Sequence, residues 1–167
     1  MTVTAAGRPA GVTPAERDAV LALLADYGWF IDEGRFDDWL ALFAEDCVYR
    51  VIPRENLTLG LPGSLMSCDN KDMLRDRVTA LTDANKYNIH VARHVIGLPR
   101  VTRLGPDSLA VEAGYTVFQS DQEGEARLYS VGSYRDRLRV VGGTLLLVEK
   151  LVIVDSFAIP HLLATPL

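Results

Sequence analysis

Apolar residues recur every three or four positions through the first half of the chain and every second position through much of the rest, so helices precede strands. Val20, Leu23, Leu24, Tyr27 and Ile31 draw one stripe along a first helix that stops near Gly34. Its start is written in Thr13-Pro14-Ala15-Glu16, which places a hydroxyl at the N-cap, a proline at the first helical position and a glutamate at the third. Residues 36–44 carry Trp39, Leu40 and Phe43 at helical spacing and predict a second, short helix. A third follows Asp69 or Asn70 as cap, with Met73, Leu74, Val78 and Leu81 on its apolar side.

Residues 47–52 read as a strand, and the Pro-, Gly- and Asn-rich segment 53–67 as irregular strand and loop. After Asn85 the period is two. Strands are expected over 90–101, 109–119, 127–140 and 144–157, joined by Gly-Pro-Asp, Asp-Gln-Glu-Gly and Val-Gly-Gly turns in an antiparallel meander. Leu109, Val111, Ala113, Tyr115 and Val117 form one apolar face of the second of these. In the third, Arg135, Arg137 and Arg139 share a face opposite Tyr134, Asp136 and Leu138, a stripe that can meet an acidic partner or pair with carboxylates on adjacent strands. The last strand is apolar on both sides. Strict alternation groups Leu145, Leu147, Leu151 and Ile153 against Leu146, Val148, Val152 and Val154, with Glu149 and Lys150 its only charges, so a second cover is needed and an obligate oligomer is expected.

Three helices followed by a long, twisted antiparallel sheet make an α+β fold in which the sheet curls around the first helix as a cone. A small ligand would bind in its mouth, between the helices and the concave face. The chain's 167 residues suffice for one domain, expected over 14–167 behind a loose arm at 1–13.

Charge narrows the function. Seventeen Lys and Arg against 22 Asp and Glu leave a net −5, which argues against DNA or RNA as a main ligand. The apolar stretches 145–148 and 151–154 are interrupted by Glu149 and Lys150 and stopped by Asp155, short of the ~20 residues a spanning helix needs. The first residues lack the apolar core of a secretory signal, and a cytoplasmic location without a membrane partner is expected. Cys47 and Cys68 stand outside any CxxC or CxH spacing and read as buried thiols.

Of the three histidines, His90, His94 and His161, the first two are four apart and fall on one side of a strand. Their neighbours Asn88, Ile89, Ala92, Arg93 and Ile96 offer no third ligand, so no metal site is expected. A metal-free acid/base site is the alternative: His94 and Asp32, with Tyr27, Tyr49 and Asp46, converging in the cone to move a proton in a dehydratase, isomerase or cyclase. The structural reading puts Tyr27 in the core, Asp32 at a cap or on Arg35, and Asp46 at a turn. No GxSxG, Walker or dinucleotide fingerprint supports covalent hydrolysis, phosphoryl transfer or nicotinamide chemistry.

The run Tyr27-x4-Asp32-x6-Trp39-Leu40-x2-Phe43-x2-Asp46-x2-Tyr49 resembles the cystatin-like cone superfamily that includes scytalone dehydratase and polyketide cyclases. Arg54-Glu55-Asn56, Leu65-Met66, Asp69-Asn70, Leu74-x-Asp76-Arg77-Val78, Arg93-His94-Val95-Ile96 and Gly132-x-Tyr134-x-Asp136-x-Leu138 narrow it. Together they resemble the small, or beta, subunit of the Rieske non-haem iron aromatic-ring-hydroxylating dioxygenases, over about residues 14–160. The resemblance implies that this chain has no catalytic residue, cofactor or metal. The Rieske 2Fe–2S cluster and mononuclear iron would belong to a partner alpha subunit, on a homotrimeric beta base within an α3β3 hexamer. It further implies that Asp32, Trp39 and Asp46 set the helix-to-strand corner, that Asp76 and Arg77 form ion pairs on a helix surface, and that Gly132, Tyr134 and Asp136 shape a strand. The Glu-Asn and Asp-Asn segments resemble the branch acting on aromatic acids such as benzoate or anthranilate.

Overall fold

A computed structural model describes residues 11–83, 89–155, 163 and 165–167. Residues 1–10 of the expected arm, His161 and the end of the expected last strand lie outside the described residues. Gly11 accepts a hydrogen bond from Arg103 Nε at 2.6 Å, and Val12 packs on the core.

Helix α1 (Pro14–Asp32) starts in the capping box, with Thr13 Oγ1 accepting from the Glu16 amide at 3.2 Å and the Thr13 amide donating to Glu16 Oε2 at 2.8 Å. It buries Val20, Leu23, Leu24, Tyr27 and Ile31, the expected stripe. Helix α2 (Phe36–Ala41) ends three residues before the periodicity implies, because β1 (Phe43–Pro53) pairs with the last strand and Leu42 O accepts from the Leu147 amide at 2.9 Å. The segment expected as loop contains a short helix, α3 (Arg54–Leu59), and β2 (Met66–Cys68). No residue of α3 is buried, so it carries no apolar stripe by which to be read. Helix α4 (Lys71–Asp83) is capped by Asn70 Oδ1, which accepts from the Met73 amide at 2.9 Å, and it buries Leu74 and Val78 while Met73 faces out. On α4 Asp72 pairs with Arg75, and Lys71 Nζ lies 3.0 Å from Glu45 Oε1.

The expected strand 90–101 is two strands, β3 (Val91–Ile96) and β4 (Arg100–Gly105), broken at Gly97-Leu98-Pro99. Both pair with β5 (Ser108–Ser120), which continues through β6 (Ala126–Val141) to β7 (Thr144–Val154). The order is β2-β1-β7-β6-β5-β3, with β4 also on β5. One junction departs from the expected antiparallel sheet: β1 runs parallel to β7. The fold is α+β, with the helices against the concave side of a curved sheet.

β7 corrects the expected faces. Leu138 pairs with Leu147 but Arg137 with Glu149, so Val148 is an extra residue in the ladder. Beyond that bulge Lys150, Val152 and Val154 join Leu147 on the buried side opposite Asp136, Tyr134 and Gly132. Glu149 and Leu151 turn outward beside Arg137 and Arg135. Around them two of the arginines take the second of their expected roles, Arg135 at 4.0 Å from Glu112 and Arg137 at 3.4 Å from Glu149 on adjacent strands, while Arg139 lies 2.6 Å from Asp46 on β1, two strands away.

Candidate functional site

Four of the five acid/base candidates fall into two pairs. Asp32, the last residue of α1, takes the His94 amide on Oδ2 at 2.8 Å, and its Oδ1 lies 2.6 Å from His94 Nδ1. Asp32 is 3% and His94 1% exposed in their side chains. Helix and strand approach this closely because Gly28 has no side chain; a Cβ there would stand 3.1 Å from His94 Cβ. The other ring nitrogen, Nε2, is buried and finds no hydrogen-bond partner among the described residues. The pair sits in a groove of about 370 Å³ between α1 and the β3–β4 link, with Trp29 and Leu98 exposed on it.

Tyr27 and Tyr49 are fully buried in the core and engage a different group, the Leu167 main chain. Tyr27 donates to Leu167 O at 2.6 Å, Tyr49 to the same oxygen at 3.2 Å, and the Leu167 amide donates to Tyr49 Oη at 3.0 Å. Burial pushes both phenols well above the usual tyrosine range, so neither serves as a base near neutrality. Among the described residues no hydrogen bond joins the tyrosines to Asp32 or His94.

Asp46 lies within β1 rather than at a turn, and its hydrogen bond from Arg139 holds its carboxyl below the usual range. Arg35, a possible partner for Asp32, instead pairs with Asp38 at 2.7 Å. Among the described residues no three His, Cys, Asp or Glu side chains gather as a metal site would require. Cys47 and Cys68 are buried free thiols, and burial pushes Cys47 up to about 11.

Sequence reasoning missed the most buried polar contact. Lys150 Nζ meets Asp136 Oδ2 at 3.0 Å beneath the rings of Tyr27 and Tyr134. A lysine in a strand whose only other charge is Glu149 was the available signal; which way it faced depended on the bulge.

Residues 29–161 match the family model described as the ring hydroxylating beta subunit. The chain belongs to this family. It is 36% identical over 137 residues to the anthranilate 1,2-dioxygenase small subunit of Burkholderia cepacia, covering 82% of this chain and 85% of that protein. Subunit beta 1 of the terminal oxygenase component of terephthalate 1,2-dioxygenase from Comamonas sp. is 32% identical over 148 residues, covering 89% and 96%. A crystal structure from Novosphingobium aromaticivorans DSM 12444, assigned as the beta subunit of an aromatic-ring-hydroxylating dioxygenase, superposes with a TM-score of 0.84. Its identity is 42%, over 92% of this chain and 97% of that one.

This ring-hydroxylating beta subunit is therefore one component of an oxidoreductase built from more than one kind of chain. Membership supports the subunit reading over a stand-alone dehydratase, isomerase or cyclase. The cone is the cystatin-like fold. No helix among the described residues is long and apolar enough to cross a membrane.

Proposed function

We propose that this chain is the structural beta subunit of an aromatic-ring dioxygenase, acting as a single domain over residues 14–167 in the cytoplasm. Three copies form the base of an α3β3 hexamer, and a large alpha subunit holding the Rieske cluster and mononuclear iron adds dioxygen to an arene to give a cis-dihydrodiol. The observation carrying this reading is the family match over residues 29–161. No residue of this chain is catalytic. In support, Asp32 is bonded by the His94 amide and Nδ1 between α1 and β3, while Tyr27 and Tyr49 are committed to Leu167. The substrate is an aromatic carboxylic acid, a class supported by the anthranilate and terephthalate relatives.

Light scattering and iron analysis of the chain alone and co-expressed with its large subunit test the assembly. An iron-free trimer that becomes an iron-loaded hexamer is expected. A monomer that turns over an aromatic substrate unaided overturns the proposal.

A further inference from the structure

We propose that the interior of the cone is a binding site for a small apolar acyl compound, a carboxylate or secondary amide of about leucine's bulk, which the chain fills with its own Leu167. The Leu167 side chain lies within the core cluster of Tyr27, Trp39, Phe43 and Tyr49, and the residue is 1% exposed. Its main chain belongs to no helix or strand. Two tyrosine hydroxyls more than a hundred positions away provide what a strand would otherwise supply: two donors for the carbonyl oxygen and an acceptor for the amide. Hydroxyl hydrogens rotate, so the same pair accommodates a carboxylate oxygen equally well.

The wall around Leu167 is aromatic. The Tyr27 ring packs at 6.0 Å from Trp39, 6.4 Å from Phe43 and 5.8 Å from Tyr134, and Tyr49 lies 5.9 Å from Trp39. These contacts join α1, α2, β1 and β6, and Leu167 is a partner in none of them. Two fully buried members of this aromatic cluster, Tyr134 and Trp39, have spare polar atoms: Tyr134 Oη and Trp39 Nε1 find no partner among the described residues. A wholly apolar core would leave no such groups, and an oxygen-bearing ligand offers them an acceptor. Lys150 Nζ, paired with Asp136, lies 4.1 Å from the Tyr27 ring centroid. The site is complete in this chain and requires neither the alpha subunit nor ring oxidation.

N-acetyl-L-leucine reproduces the Leu167 side chain, amide and carbonyl and serves as the probe. A variant lacking residues 163–167 is expected to bind it by titration calorimetry with a rise in melting temperature, and Tyr27→Phe in that background weakens binding about tenfold. In the full chain, probe at about ten times the dissociation constant measured on the variant speeds Leu167 amide exchange about tenfold, because bound probe holds the displaced state open. A folded variant that ignores the probe overturns the proposal. So does a variant that stays unfolded with the probe present, since Leu167 is then an integral part of the core, and so does unchanged Leu167 exchange in the full chain.

Discussion

Lys150 Nζ lies 3.0 Å from Asp136 Oδ2, and both side chains are completely buried, facing each other across β6 and β7. The ammonium also stands 3.3 Å from the Tyr134 ring centroid and 4.1 Å from that of Tyr27, which spread its charge over two aromatic faces. Burial dominates the electrostatics of both partners: it raises the Asp136 carboxyl and lowers the Lys150 ammonium, each against the pull of the other. Such a pair adds little net stability over apolar residues, but it penalises any slip of β7 that would bury one charge alone.

Lys150→Met is therefore expected to cost about 3–5 kcal/mol in urea unfolding, because Asp136 remains buried and unpaired. The double variant Asp136→Leu, Lys150→Met should lose clearly less than the sum of the two singles. Additive losses would show that the two side chains do not act as a pair.

Asp32 accepts two hydrogen bonds from His94 and so ties the end of α1 to the edge strand β3. Asp32→Ala leaves the buried His94 amide and ring without that acceptor, and a loss of about 1–3 kcal/mol follows. Hydrogen exchange should localise the loosening to α1 and β3. Turnover per assembled dioxygenase is expected to stay at the parent value; a collapse of turnover in correctly assembled complexes would contradict a purely structural role.

Gly132 admits no side chain. A Cβ there would stand 1.9 Å from Ile153 O and 3.0 Å from Tyr115 Cε1, and the first of these is backbone in the adjoining strand. Gly132→Ala must part β6 from β7, so little folded protein is expected. Gly124→Ala, where φ is +86° and nothing lies within 4 Å, should stay folded with a cost of about 1 kcal/mol. Near-parent melting of the Gly132 variant would refute the close approach.

Glu16 is hydrogen-bonded by Arg103 and Thr13, which hold its carboxyl down at about 2, against an ordinary value of 4.5. A carboxyl lowered by folding contributes stability above its unfolded value and loses it as pH falls toward the folded one. Acid unfolding between pH 4.5 and about 2 should thus be shallower in Glu16→Gln than in the parent chain. Equal acid profiles would remove Glu16 from the account.

Local sequence determined the elements whose reasons are local: the Thr13–Glu16 capping box, the α1 stripe from Val20 to Ile31, the Asn70 cap and the alternation of β5. These follow from spacing and side-chain chemistry within a few residues, and the motifs spread along the chain carried the family as well. Tertiary structure alone decided the rest. Helix α3 buries nothing and shows no period; the end of α2 at Ala41 and the parallel β1–β7 junction answer to a strand a hundred residues away. Strict alternation places Lys150 opposite Leu147, and only the bulge at Val148, fixed by pairing with β6, turns it inward to Asp136. The site candidates divided for the same reason. Residue types nominated Asp32, His94, Tyr27 and Tyr49 together, but Gly28 brings β3 onto α1 for one pair while Leu167 occupies the other. Hydrogen bonds spanning 62 to 140 positions leave no periodic trace in a sequence, because the partner is chosen by where the chain returns.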